Sequence, residues 1–250
     1  MTPAVTRDRT RRDAPGAVLF DFDGLVLDTE SCTYVTVQAI FAEHGVALDR
    51  SFWQTILGTS NHPHWTEILA GRLGRPVDRA ALVARREQER LRLLADEPVC
   101  EGVVDLLDAA SAAGVPTAVA SSSSAEWVVG HLERLRLRDR FAAVVTSDDV
   151  GRDPRRSKPA PDIFLAAAEA LGVAPADCVV LEDSLNGVAA GRAAGMAVVA
   201  VPGPMTAGLD FGAAHLEVST IAHLDLAGLA VLVGRAQGAG APRHALRRTW

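Results

Sequence analysis

Asp21 and Asp23 stand two residues apart just after the apolar run Ala17-Val18-Leu19-Phe20, and Asp28, Thr29 and Glu30 follow closely. The run has the continuous apolar character of a strand covered on both faces, so the two carboxylates fall at its carboxyl end. In an open α/β sheet that edge is where ligands bind. The stretch Phe20 to Glu30 therefore reads as a phosphoryl-transfer site.

Two further polar clusters follow apolar runs in the same way. Ser121-Ser122-Ser123-Ser124 comes after Thr117–Ala120, and Glu182-Asp183 after Cys178–Leu181. A lone acidic pair is as easily a turn or a helix cap. Three such clusters meeting along one sheet edge are not. Lys158 lies in Lys158-Pro159-Ala160-Pro161-Asp162, where two prolines stiffen the approach and Pro161 is placed to open a helix. The four-serine run has a divided reading: Ser123 and Ser124 look like capping residues, with Ser123 and Glu126 forming a capping box.

The elements that must position these residues alternate after residue 99 between short apolar runs and helical patterns, which predicts a parallel α/β sheet. Strands are expected at Ala17–Phe20, Thr117–Ala120, Ala143–Thr146, Cys178–Leu181 and Ala197–Val201. Helices are expected near 102–113, 125–136, 161–171 and 186–194, with Gly114, Gly172 and Gly195 where helices stop. Residues 31–98 show helical periodicity and no strand. His44-Gly45 ends a first helix, Ser51 with Gln54 offers a capping box for a second, a third spans Trp65–Leu73, and Asp78 caps a fourth running through Leu94. The expected architecture is a Rossmann-like parallel sheet with helices on both faces, built from 16–30 and 99–235. An all-α helical cap, 31–98, is inserted over its carboxyl edge as a lid. Residues 1–15 and 236–250 are expected to be disordered tails.

Asp21-Phe22-Asp23-Gly24, Ser121, Lys158-Pro159 and Glu182-Asp183-Ser184 resemble, in order and spacing, the four motifs of the haloacid dehalogenase superfamily of phosphohydrolases. The resemblance covers about residues 16 to 205. The helical insertion resembles the α-helical cap of the subfamily containing beta-phosphoglucomutase, phosphoglycolate phosphatase and sugar-phosphate phosphatases. It implies that Asp21 attacks phosphorus and carries an aspartyl phosphate, while Asp23 serves as general acid and then general base. It implies Mg²⁺ held by an Asp21 oxygen, the Asp23 backbone carbonyl and Asp183, with Glu182 orienting waters or Lys158 around them. Gly24, Ser121, Ser122 and Lys158 would bind phosphate, through the Ser121 hydroxyl, the Ser122 amide and the lysine's charge. Ser157 stands where glycine is common, in a preceding segment longer and more basic than usual. Arg155 and Arg156 in that segment read as an exposed charge run.

The implied activity is a Mg²⁺-dependent phosphatase of small phosphorylated metabolites, a phosphoric monoester hydrolase, with a beta-phosphoglucomutase-like mutase as the alternative. Thr33, where such mutases usually carry histidine, and Asn61, where they commonly carry arginine, favour hydrolysis. Asp23 argues against a carbon–halogen hydrolase, which lacks an acid there, and four intact motifs argue against a silent binding module. His62, His64, Arg72, Arg85 and Arg86 could line the substrate pocket, although a solvated helix face is the simpler reading for each. Trp53 and Trp65 read as cap core.

Composition sets the remaining bounds. The chain has 250 residues, 48% of them hydrophobic and 22% charged, enough for a sizeable core. A net charge of -6 gives no reason to expect a nucleic-acid partner. Cys32, Cys100 and Cys178 are odd in number and lack a CxxC pair, which fits a reducing cytosol without disulfides or structural zinc. No run approaches the roughly 18–20 apolar residues of a membrane span. A cytoplasmic monomer or small homo-oligomer is the expectation.

Overall fold

The computed structural model describes residues 13–58 and 62–238. Five of its strands are β1 (Ala17–Phe20), β2 (Thr117–Ala120), β3 (Ala143–Val145), β4 (Cys178–Glu182) and β5 (Ala197–Ala200), and β6 (Leu216–Glu217) adds a short exposed edge. They form one sheet in the order β3-β2-β1-β4-β5-β6 with every pairing parallel. The strand order reverses at β1, so the crevice beyond the ends of β1 and β4 is the topological switch point of the sheet.

Alternation along β1 shows how both faces are covered. Val18 and Phe20 join one cluster, with residues of α5 (Val103–Ala112), α6 (Ala125–Arg134) and α9 (Leu226–Gly238). Ala17 and Leu19 join the other, with α7 (Asp162–Leu171) and α8 (Leu185–Ala193). All four β1 side chains are fully buried, as a strand read from a continuous apolar run should be. Pro161 precedes α7, and Gly172 ends it in the left-handed conformation.

Between β1 and α5 the chain forms α1 (Thr29–Glu43), α2 (Arg50–Gln54), α3 (Trp65–Leu73) and α4 (Arg79–Leu94). These helices have their own apolar cluster, in which Trp53, Trp65, Phe41 and Leu69 are buried together with Met205 from the loop after β5. The expected roles of Trp53 and Trp65 as core residues hold. Asp78 caps α4 by accepting from the Ala81 amide at 3.0 Å. The outgoing and returning chains run side by side: Leu27 bridges Val99, and the Cys100 amide donates to Val26 O at 2.9 Å.

Several local expectations are corrected. Asp49, not Ser51, is the residue before α2, and no side chain caps that helix. Ser124, not Ser123, caps α6, because the Ser123 hydroxyl is drawn to Asp23. Helix α9 continues through Gly238, past the start of the expected tail at 236, and Ala14 packs against the core. The rest of both expected tails, and Asn61, lie outside the described residues. The three cysteines are free. Among the described residues no helix is long and apolar enough to cross a membrane.

Candidate active site

Asp21 is the first residue beyond β1, and its amide donates to Leu181 O at 3.0 Å, so its position is set by pairing with β4. Glu182 ends β4 and Asp183 follows it. Lys158 arrives from the loop between β3 and α7, fully buried, with its Nζ over the Phe164 ring at 4.8 Å from the centroid. The ammonium donates to Asp21 Oδ1 and, at 2.5 Å, to Glu182 Oε1. Burial alone would make the lysine less basic, but the two carboxylates outweigh it and hold the ammonium charged.

Glu182 is committed on both oxygens. Oε1 faces Lys158, while Oε2 accepts from the Ser184 amide at 3.1 Å and the Ser184 hydroxyl at 3.0 Å. Ser184 also caps α8 by accepting from the Gly187 amide at 3.0 Å. Asp21, Glu182 and Asp183 can each bring one oxygen within 4.8 Å of the others, and all three are buried. One ammonium does not neutralise three carboxylates. Burial, then Glu182, pushes the Asp21 carboxyl up to about 8, and burial, then Asp21, pushes Asp183 upward as well. An all-oxygen, negatively overcharged cluster fits a hard divalent cation. Glu182 is held on both oxygens, whereas Lys158 engages Asp21 through Oδ1.

Asp23 is held by a different set of groups. Its Oδ1 accepts from Thr29 Oγ1 at 2.8 Å and Trp127 Nε1 at 2.8 Å, and its Oδ2 accepts from Ser123 Oγ at 2.6 Å and Ser121 Oγ at 3.2 Å. Ser121, expected at the phosphate, thus also reaches Asp23. Ser122 Oγ reaches Gly58 O, at 3.4 Å, across the boundary with the inserted helices. Gly24 has φ +86°, and a Cβ there would lie 2.1 Å from Asp183 Oδ2. Its amide donates to Leu27 O at 2.8 Å, and the absence of a side chain lets Asp183 approach.

The inserted helices close one side. Glu30, at the start of α1, has its carboxyl pushed up to about 8 by burial, then by Asp23 and Asp21. Arg86 is largely enclosed, with 14% of its side chain exposed, so the solvated-face reading fails for that residue. It holds elsewhere: Arg72 turns to Ala47 O, Arg85 pairs with Glu43, and His62 is exposed. His64 is partly buried and caps α3 by accepting from the Thr66 amide. Thr33 Oγ1 donates to Thr29 O within α1. Arg155 and Arg156 are exposed and pair with Asp153 and Asp162. A cavity of about 710 Å³ opens between α4 and α6, walled by Arg90, Ser123, Trp127 and His131 among others.

Sequence reasoning missed Trp127, Thr29 and Ser123 as partners of Asp23. Thr29 lay in the extension of the first motif, and Trp127 lies one turn beyond Ser123 at the opening of α6. No spacing rule aims either at a carboxylate far away in sequence or around a helix start.

A switch-point crevice lined by a buried lysine, three convergent acids and a separate hydroxyl-bound aspartate marks the class as α/β enzymes with a ligand site at the sheet edge. The comparisons agree. A family model described as haloacid dehalogenase-like hydrolase matches residues 15–195. YhcW of Bacillus subtilis (strain 168), whose name assigns it provisionally to the phosphatases, is 38% identical over 211 residues, covering 84% of this chain and 94% of its own. Fructose-1-phosphate phosphatase YqaB of Escherichia coli (strain K12) is 34% identical over 187 residues, covering 74% of this chain and 95% of its own. The crystal structure of a CbbY point mutant from Rhodobacter sphaeroides with xylulose-(1,5)bisphosphate superposes with a TM-score of 0.67. It is 29% identical, over 86% of this chain and 99% of that one. This chain belongs to the haloacid dehalogenase-like hydrolases. Within them it is a phosphoric monoester hydrolase.

Proposed function

We propose that the protein is a Mg²⁺-dependent phosphatase of small phosphorylated metabolites, sugar phosphates or similar, that works through an aspartyl phosphate on Asp21. The observation that carries this reading is the Lys158 bridge between Asp21 and Glu182 at the switch point of the sheet. Asp21 is the nucleophile. Its anion can approach a phosphate dianion only when charge is balanced, and Lys158 supplies part of that balance. Asp23 protonates the departing ester oxygen and then takes a proton from the attacking water. Asp21, the Asp23 carbonyl and Asp183 would hold Mg²⁺, which when bound screens the carboxylates from the phosphate dianion. Glu182 keeps Lys158 in place, and the start of α6, with Ser121 and the Ser122 amide, receives phosphoryl oxygens. Residues 31–98 act as a lid that excludes water from the first half-reaction and selects the alcohol being released. The relative named for phosphatase activity on a sugar phosphate supports the substrate class.

The test is release of inorganic phosphate from a panel of sugar phosphates, phosphoglycolate, nucleotides and p-nitrophenyl phosphate with Mg²⁺. Phosphate release from small esters is expected. No release from any of them would sink the reading, and an isomeric sugar phosphate without free phosphate would make the protein a mutase.

A further inference from the structure

Among the described residues, three of the four donors on Asp23 are hydroxyls, from Thr29, Ser121 and Ser123. A hydroxyl can donate or accept, and it turns to suit its partner. The fourth is the indole N–H of Trp127, which can only donate. It needs an oxygen lone pair at Oδ1 whether or not Asp23 carries a proton.

The indole is itself held from two sides. The Arg90 guanidinium, from α4 of the insertion, lies 3.8 Å from the ring centroid, and the His131 ring meets it edge-on at 4.1 Å and 76°. Arg90 is in turn fastened to Glu87 at 2.8 Å. Trp127 is therefore fixed by its own helix and by the inserted helices at once, and stands at the wall of the α4–α6 cavity.

We infer that Trp127 is a positioning residue for Asp23, one that keeps Oδ1 as the accepting oxygen and leaves Oδ2 to move the proton. The inference rests on the proposed acid/base role of Asp23. In the first half-reaction the Asp21–phosphorus bond forms, the bond from phosphorus to the leaving oxygen breaks, and the proton on Oδ2 passes to that oxygen. In the second, a water oxygen bonds phosphorus, the Asp21–phosphorus bond breaks, and Oδ2 recovers a proton from the water. Ser121 and Ser123 donate when Oδ2 is bare and turn when it is protonated. Trp127 stays as it is.

The experiment compares kcat/KM for two esters: the sugar phosphate turned over fastest in the panel above, and p-nitrophenyl phosphate. The first loses an alcohol that needs a proton, and the second an anion that does not. Because kcat/KM reports the steps up to loss of the leaving group, the ratio of the two isolates proton delivery. Trp127→Phe removes the N–H and is expected to lower the sugar-to-aryl ratio at least about tenfold, a fraction of the full general-acid effect. Replacing Trp127 with benzothienylalanine, which keeps the indole's shape but has sulfur in place of N–H, should reproduce the loss even if the phenylalanine variant folds poorly. Asp23→Asn, measured alongside, should show the same selectivity more strongly. An unchanged ratio in Asp23→Asn overturns the acid/base reading itself. A selective loss in Asp23→Asn with an unchanged ratio in both Trp127 variants overturns the role of Trp127 alone.

Discussion

At the scale of single residues the site is a problem of charge. Asp21, Glu182 and Asp183 are buried around one ammonium, and the structure leaves them overcharged. Asp21→Asn keeps the shape but cannot ionise, so it should abolish turnover and, at pH 9 where the Asp21 carboxyl is charged, raise the melting temperature of the metal-free protein. Residual turnover near the wild-type rate would remove Asp21 as nucleophile, and a lowered melting temperature would contradict the charge argument. Lys158→Met should act in the opposite sense. Removing one partner of a buried ion pair costs about 3–5 kcal/mol. Chemical denaturation should show that loss at pH 8 and a smaller one at pH 5, where the stranded carboxyls can protonate.

At the scale of elements, close approach decides which residues can stand where. A Cβ on Gly187, in the first turn of α8, would lie 1.8 Å from Glu182 Cδ. The helix can therefore start against the β4 carboxylate only because that position is bare. Gly187→Ala should displace Glu182, loosen Lys158 and cut kcat by more than it changes KM, which steady-state kinetics would show. Gly24→Ala combines the Asp183 clash with a left-handed backbone that costs a non-glycine residue about 1–2 kcal/mol. Lowered stability and weaker stabilisation by Mg²⁺ are expected together, by thermal denaturation with and without the ion. The strands and most helices are legible in the sequence, since apolar runs, capping residues and stop glycines are local signals. The two-residue β6 is not, because it is exposed and takes its conformation from β5.

At the scale of the whole molecule, the same charge excess links stability to pH. The Asp21 and Glu30 carboxyls sit near 8 in the folded state, against ordinary values of 3.8 and 4.5. The native state thus binds protons that the unfolded chain has released, so this stabilisation is complete below about pH 4 and is lost as pH rises toward 8. His64, His131 and His215 are held below 6.5, chiefly by burial, and act in the opposite direction. Each of the two carboxyls sits more than three pH units above its ordinary value, so the decline should win. The melting temperature of the metal-free protein should fall from pH 5 to pH 8, and Mg²⁺ should restore more at pH 8 than at pH 5. A flat or rising profile without metal would contradict this.

The sequence by itself determined five of the six strands and the acids beyond them, Asp21, Asp23, Glu182 and Asp183, and named Lys158 in the loop before α7. Continuous apolar runs dictate buried parallel strands, and parallel strands bring their carboxyl ends to one edge. Only the tertiary structure decided what each side chain touches. Ser121 and Ser123 turn to Asp23, Ser184 and Lys158 divide Glu182 between them, and Trp127 reaches Asp23 while Arg90 covers its ring. The physical reason is that hydrogen bonds and burial act over a few ångströms of space, while Trp127 and the carboxylate it serves lie 104 residues apart along the chain.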